Sequence, residues 1–177
     1  METIAQSIEV HAPVQKVYNQ WTQFEEFPEF MEGVEEVRQL NDKRLHWVAN
    51  IGGQRHEWDA EIYEQIPDKR IAWNAIAGKK NQGAVSFDRI ADNKTRVNVV
   101  INYEPEGVIE KTGDALGLAS ARVKGNLKKF KELIEDRAQE SGAWRGEIHG
   151  GEVSREADTI ARSKRLYGEK KHPGDIL

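Results

Sequence analysis

The sequence predicts an α+β fold in which a curved, seven-stranded antiparallel sheet wraps around one long C-terminal helix, with two short helices between strands 1 and 2. Three observations lead to this prediction. Residues 4 to 10 alternate apolar and polar side chains, as a half-buried strand does. Residues from about Val34 to Tyr103 form six strand-like runs separated by turn signals. After Tyr103, apolar residues recur every three or four positions, which is typical of an amphipathic helix.

The two short helices are predicted from the segment HAPVQKVYNQWTQFEEFPEFM, residues 11 to 31. Pro13 suits a first helical turn, and apolar residues follow it at helical spacing up to Trp21. Aromatic residues then continue at a spacing of three, at Phe24, Phe27 and Phe30. Because a proline restricts the residue before it and breaks helices, Pro28 predicts a bend between two short helical pieces.

The six middle strands are joined by short turns, which favours an antiparallel meander. The strand-like runs are VEEVRQL, RLHWVANI, QRHEWDAEIYEQI, RIAWNAIA, GAVSFDRI and TRVNVVINYE. Clear turn signals between them include Asn41-Asp42, Gly52-Gly53 and Pro67-Asp68.

The long helix is predicted over some thirty residues and is expected to close at Ser141-Gly142. Its apolar positions are Val108, Ala115, Leu116, Ala119, Val123, Leu127, Phe130 and Ile134. Gly113, Gly117 and Gly125 lie within it, and each costs up to about 1 kcal/mol relative to alanine in a helix interior. Such glycines indicate positions where close approach or empty space is wanted.

Two regions are therefore predicted: a ligand-binding domain over residues 1–141 and a tail over residues 142–177. The tail is Gly-rich and polar, so we expect it to be flexible and poorly packed, with a candidate short helix from Val153 to Tyr167.

Composition excludes several classes of function. The net charge of −4 gives no field that would attract nucleic acid, and the absence of cysteine excludes thiolate metal sites and cysteine nucleophiles. No apolar run approaches the length of a membrane span, so we expect a cytoplasmic protein with at most peripheral membrane contact. Neither a GxGxxG nor a GxSxG motif is present. The histidines lack metal-ligand spacing, and we expect neither metal nor cofactor; they are His11, His46, His56, His149 and His172.

The order of elements resembles the START-like helix-grip superfamily (SRPBCC), specifically its bacterial polyketide cyclase/dehydrase branch, to which the coenzyme Q-binding START-like proteins also belong. The resemblance covers residues 1 to about 141. It is carried by SIEVHAPVQKVYNQWTQFEEFPEFMEGV at the start, by the Y.P.G entry to the last helix, and by GDALG within that helix. It implies a helix-grip fold with a cavity between sheet and helix. The superfamily includes lipid carriers, quinone binders and cyclases.

Strand alternation groups apolar side chains that would line such a cavity. Trp47, Trp58, Trp73 and Phe87 fall on the predicted concave faces, with His56 beside Trp58. The predicted ligand-binding residues are Phe27, Phe30, Met31, Trp47, His56, Trp58, Trp73, Phe87, Leu116 and Ala119.

The resemblance also implies that the second short helix borders the cavity mouth. We therefore interpret this segment as a lid, in which Trp21 and Phe24 anchor to the core while Phe27, Phe30 and Met31 face the cavity or its entrance. Phe30→Ala is then expected to change ligand exchange more than stability.

Three functional hypotheses remain open. The first is a non-enzymatic carrier or binding protein for a hydrophobic molecule of lipid, quinone or polyketide type. The second is a cyclase or dehydratase in the same cavity, for which His56, Tyr103 and Arg122 are the available polar groups, and Arg55 would join them only if a strand bulge turned it inward. The third is an interaction module that binds a partner protein through the tail.

Overall fold

The computed structural model describes residues 2–104 and 115–154. The strands are β1 Glu2–Val10, β2 Val34–Gln39, β3 Arg44–Ile51, β4 Gln54–Ile66, β5 Arg70–Gly78, β6 Asn81–Ala91, β7 Lys94–Tyr103, β8 Glu147–His149 and β9 Glu152–Ser154. Between β1 and β2 lie helix α1, Val14–Trp21, and a 3-10 helix, Phe24–Glu29. The long helix α2 spans Ala115–Asp136.

The described strands form one antiparallel sheet in the order β1-β7-β6-β5-β4-β3-β2, with β8 paired to both β4 and β9. This arrangement confirms the predicted α+β helix-grip fold and all seven predicted strands. The sheet has nine strands rather than seven, however, because residues assigned to the polar tail form the β8–β9 hairpin.

The β3–β4 turn shows how local sequence sets the meander. Gly52 and Gly53 both have positive φ, at 60° and 83°, which glycine adopts without steric cost. The turn joins strands that pair without a register shift from Arg44 opposite Glu61 to Ile51 opposite Gln54. Side chains opposite each other on this pair therefore share one face of the sheet.

The two short helices are confirmed, but the bend between them is not at Pro28. The chain turns at Thr22 and Gln23, where Thr22 Oγ1 donates to the Asn19 carbonyl oxygen at 2.6 Å and closes α1. Pro28 lies inside the 3-10 helix. A helix that is only six residues long has few internal hydrogen bonds for a proline to remove.

Helix α2 crosses the concave face of the sheet. Its buried side consists of Leu127, Phe130 and Ile134, and Gln6 Nε2 of β1 donates to Ser120 Oγ at 2.7 Å. It ends at Asp136, five residues before the predicted stop at Ser141. A Cβ on Gly117 or Gly125 would meet no atom within 4 Å, so these glycines border open space and are not required for close packing. The predicted helical positions Val108 and Gly113 lie outside the described residues.

Residues 137–154, here called the strap, return from the end of α2 to the C-terminal end of β4. Ile148 is fully buried and lies opposite Gln65 of β4. Arg145 donates through both terminal nitrogens to Asp68 at 2.9 and 2.8 Å, and to Asn19 Oδ1 at 2.7 Å. The first part of the predicted tail therefore packs onto the domain. The candidate helix from Val153 begins in β9, and the rest of it lies outside the described residues.

Across residues 2–104 and 115–154, no helix combines the length and the hydropathy that crossing a bilayer requires.

Candidate functional site

The concave face of the sheet is divided into two halves that differ in packing. At the end near α1 and the strap, aromatic rings pack edge to face and are almost completely buried, with neighbouring ring centroids 4.9 to 6.1 Å apart. We call this the closed core; its rings are Tyr18, Trp21, Phe24, Phe27, Phe30, Phe87 and Phe130. The solid packing leaves the opposite half of the concave face as the place where a ligand could lie.

In that opposite half, Trp47, Trp58 and Trp73 face the concave side and are only half-buried. We call these three residues the tryptophan floor. Trp47 and Trp58 lie opposite each other on β3 and β4 and stack with centroids 5.6 Å apart and planes 9° apart. Trp47 also contacts Phe27, with centroids 5.6 Å apart, so the floor is continuous with the closed core.

Trp73 lies flat because its neighbour on β6 has no side chain. A Cβ on Gly83, which is opposite Trp73, would lie 2.8 Å from Trp73 Cζ2 and 2.5 Å from the Val100 carbonyl oxygen. The indole therefore covers the backbone of β6 instead of projecting into the space above the sheet.

The first half of α2 packs against β1, where Gln6 Nε2 donates to Ser120 Oγ. Leu116 is 37% exposed and Leu118 67% exposed, in contrast to the buried Leu127 and Phe130 of the second half. Ala119 and Val123 are half-buried on the same helix. The first half of α2 thus leaves apolar surface uncovered, whereas the second half is packed into the closed core.

Polar groups at this end come from β4, β6 and β7. His56 is opposite Ala49 and shares the face of Trp58, as predicted from alternation. Tyr103 is opposite Asn81, which accepts a hydrogen bond from Trp73 Nε1 at 3.1 Å. Sequence reasoning missed Asn81, although alternation through Gly83, Val85 and Phe87 would have placed it on the concave face.

The three polar groups proposed for catalysis are not adjacent. His56 on β4 and Tyr103 on β7 are separated by three strand spacings, about 14 Å. Arg122 lies one helical turn before Asn126, whose side chain accepts from the Glu32 backbone N–H at 2.9 Å, so it is on the flank of α2 towards that loop. Arg55 points away from the site, with Nη2 3.1 Å from Glu57 Oε1, because β3 and β4 pair without a bulge.

The interpretation of residues 24–31 as a lid needs correction. Trp21 and Phe24 are anchored in the core as expected, but Phe27 and Phe30 are also buried, at 3% and 4% exposure. Phe30 lies between Trp21 and Phe130, with centroid distances of 6.0 and 5.2 Å. Only Met31 of the predicted lid residues is half-buried. A run of aromatics at a spacing of three was equally compatible with core packing, and the closed core is where the structure places it.

Phe87 belongs to the closed core as well. It is 4% exposed and contacts Tyr18, with ring centroids 5.4 Å apart. Of the predicted ligand-binding residues, those that lie in the half-exposed part of the molecule are Met31, Trp47, His56, Trp58, Trp73, Leu116 and Ala119.

The closed core also contains a buried polar pair. Gln65 Nε2 donates to the Tyr18 hydroxyl at 3.1 Å, and both residues are fully buried. Burial raises the pKa of Tyr18 well above its usual value, so the phenol stays neutral. Among residues 2–104 and 115–154, no group of three or more histidine or acidic side chains could hold a metal ion.

Comparisons with known proteins agree with this architecture. Residues 10–132 match the family model described as "Polyketide cyclase / dehydrase and lipid transport". An uncharacterised 17.2 kDa protein from the melC2-rnhH intergenic region of Streptomyces lincolnensis is 48% identical over 149 residues, covering 84% of this chain and 99% of that protein.

Two solved structures share the fold. A START superfamily protein from Mycobacterium smegmatis superposes with a TM-score of 0.61 at 15% identity, covering 75% of this chain and 94% of that one. The Zhui aromatase/cyclase from Streptomyces sp. R1128 gives 0.62 at 14% identity, covering 80% and 98%. Because the family match spans residues 10–132, well over half of the sequence, the chain belongs to the polyketide cyclase/dehydrase and lipid transport family.

Proposed function

We propose that this domain binds and carries a hydrophobic small molecule of lipid, quinone or polyketide type between the tryptophan floor and the first half of α2. The observation that supports the proposal most directly is the half-burial of Trp47, Trp58 and Trp73 on the same concave face as the buried rings of the closed core. Large apolar side chains that remain partly exposed together in a concavity are typical of a ligand site.

The binding energy would come from desolvation. Burying apolar surface contributes about 25 cal/mol per Å², so a ligand that buries roughly 300 Å² would gain about 7 kcal/mol before the costs of association. Flat rings would gain further from stacking on the exposed indoles of the floor. Aliphatic chains would instead contact Leu116, Ala119 and Val123 of α2.

The direct test is to purify the protein from its native host, extract it into organic solvent and analyse the extract by mass spectrometry. We expect a hydrophobic molecule in near-stoichiometric amount that is lost after delipidation and recovered on rebinding. An extract without any enriched hydrophobe, together with no uptake of hydrophobic probes by the delipidated protein, would contradict the proposal.

Substitution of the floor should separate binding from folding. Trp58→Ala removes a half-buried indole whose ring partner is Trp47, so we expect affinity for the extracted ligand to fall roughly 10-fold or more with limited loss of stability. Ile76→Ala is the matched control, because Ile76 is 47% exposed and lies on the opposite face of neighbouring β5. Equal effects of the two substitutions on ligand affinity would argue against a site on the floor.

A second candidate function is a cyclase or dehydratase in the same chamber, favoured by His56 and Tyr103 lying on the concave side of the sheet. Because their strands are three spacings apart, about 14 Å along the sheet, we expect the two side chains to contact different parts of a substrate. The enzyme hypothesis expects His56→Ala or Tyr103→Phe to lower turnover while leaving the fold intact. Turnover that survives both substitutions would count heavily against the enzyme hypothesis.

A further inference from the structure

We propose that Asn81 is the hydrogen-bond donor that selects ligands carrying an acceptor oxygen, such as a carbonyl, next to a planar apolar group. This inference rests on the proposed binding function and goes beyond it by defining which chemistry the chamber prefers. It begins with three residues on adjacent concave positions of β5 and β6: Trp73, Gly83 and Asn81.

The geometry fixes the orientation of the Asn81 amide. An indole N–H can only donate, so the 3.1 Å contact from Trp73 Nε1 requires Oδ1 of Asn81 on that side. The amide nitrogen must then point the other way. Packing of the Trp73 ring against the backbone at Gly83 favours this orientation of the indole.

The amide nitrogen keeps donor capacity. Asn81 Nδ2 carries two hydrogens, and one of them donates to the Lys79 carbonyl oxygen at 3.3 Å. The hydrogen bond from Trp73 orients the plane of the Asn81 amide, and this plane sets the direction of the second hydrogen. Since Asn81 is half-buried on the concave side, a ligand lying on the Trp73 ring would bring its edge towards this hydrogen.

The chemical class of the ligand follows. A planar group would stack on Trp73, and an oxygen at its edge would accept from Asn81 Nδ2. A hydrocarbon of the same shape would bury the amide without giving it a partner, which costs free energy. The site should therefore discriminate between a carbonyl and a methylene group at one position.

The test uses two isosteric probes, 2-acetylnaphthalene and 2-isopropenylnaphthalene, which differ only in carbonyl oxygen against methylene. Affinities for the delipidated full-length protein are measured by isothermal titration calorimetry. We expect the wild type to bind the ketone roughly 3- to 10-fold more tightly than the alkene, as one net hydrogen bond allows.

Asn81→Asp is the informative variant, because it keeps an acceptor for Trp73 Nε1 but removes both donors. We expect it to abolish or reverse the preference for the ketone while changing the affinity for the alkene less than about twofold. Gln82→Glu is the matched control, since it makes the same charge change one residue away on the exposed face, and it should leave both affinities unchanged.

The outcomes separate this inference from the proposed function. Equal binding of both probes by the wild type, or equal weakening of both by Asn81→Asp, overturns the role of Asn81 while the binding function stands. If the wild type binds neither probe and yields no hydrophobe on extraction, the binding function itself is overturned, and this inference with it.

Discussion

Individual side chains on the concave face have different roles that depend on how completely each is buried. Alternation in the sequence placed Trp47, Trp58 and Trp73 on one face, and this is confirmed by their pairing in β3, β4 and β5. Alternation could not say which aromatic rings would pack solidly, since that depends on where α1 and α2 cross the sheet. The distinction between closed core and tryptophan floor therefore required the tertiary structure.

The start of β6, the strand that carries Asn81, was placed incorrectly by the prediction from sequence. The predicted strand began at Gly83. The strand in fact begins at Asn81, opposite Tyr103. Strand ends are difficult to place from sequence because pairing with a neighbouring strand, here β7, extends them beyond the apolar run.

Phe30→Ala should lower stability more than it changes ligand exchange, which reverses the expectation from the sequence. The ring is 4% exposed and contacts Trp21, Phe27 and Phe130, so its removal leaves a cavity and should cost about 3–5 kcal/mol of unfolding free energy. Chemical denaturation checks this. Met31→Ala is the control at the half-buried neighbouring position and should cost less. A loss below about 1 kcal/mol in Phe30→Ala, with faster ligand exchange, would restore the lid interpretation.

At the scale of elements, the strap is the part of the fold that the sequence did not predict. Its strands β8 and β9 are three residues long, too short for alternation to be detected, and glycines surround them. Burial of Ile148 against β4 and the double hydrogen bond from Arg145 to Asp68 decide the structure of this segment. Both contacts join residues that are far apart in the sequence, so the helix and strand propensities of neighbouring residues could not predict them.

Truncating the chain at two different positions should therefore have different effects on stability. A chain ending at Gly142 loses Arg145 and the fully buried Ile148, and truncating a buried isoleucine to alanine alone costs about 2–5 kcal/mol. A chain ending at Ser154 keeps these contacts and should be more stable than the chain ending at Gly142. Thermal denaturation of both chains checks this.

The cut at Ser154 also tests the interaction-module hypothesis, which assigns a partner protein to the tail. A carrier truncated there should retain its ligand, whereas an adaptor should lose its partner. If the chain ending at Gly142 were as stable as the full-length protein, the strap would be an appendage after all and the predicted boundary at residue 141 would be correct.

For the whole molecule, carboxylates tie the N-terminal elements to the C-terminal ones. Hydrogen bonds from Lys94 and Arg96 lower the pKa of Glu9, which links β1 to β7. Burial alone would raise the pKa of Glu135, but hydrogen bonds from Lys131 and from the backbone N–H of His11 lower it overall. The Glu9 contacts join neighbouring strands β1 and β7, and the Glu135 contact joins the segment after β1 to the end of α2.

The strap contributes a third carboxylate of this kind. A hydrogen bond from the Asn19 side chain, 3.0 Å long, is the main cause that lowers the pKa of Glu140. A group whose pKa is lower in the folded state gives its full stabilisation above its unfolded pKa and loses it as the pH falls through the folded value. For glutamate that loss begins near the usual value of 4.5.

We therefore expect the melting temperature to be steady near neutral pH and to fall as the pH drops below about 4.5, with Glu140→Gln falling less steeply than the wild type. The glutamine keeps an oxygen that can accept from Asn19 Nδ2 but has no proton to take up. Glu36→Gln, at an exposed position of the edge strand β2, is the control and should keep the wild-type slope. Melting curves between pH 3 and 7, roughly the range in which carboxylates titrate, measure this. Parallel acid limbs for the wild type and Glu140→Gln would show that the bond between Asn19 and Glu140 does not contribute to the acid stability of the fold.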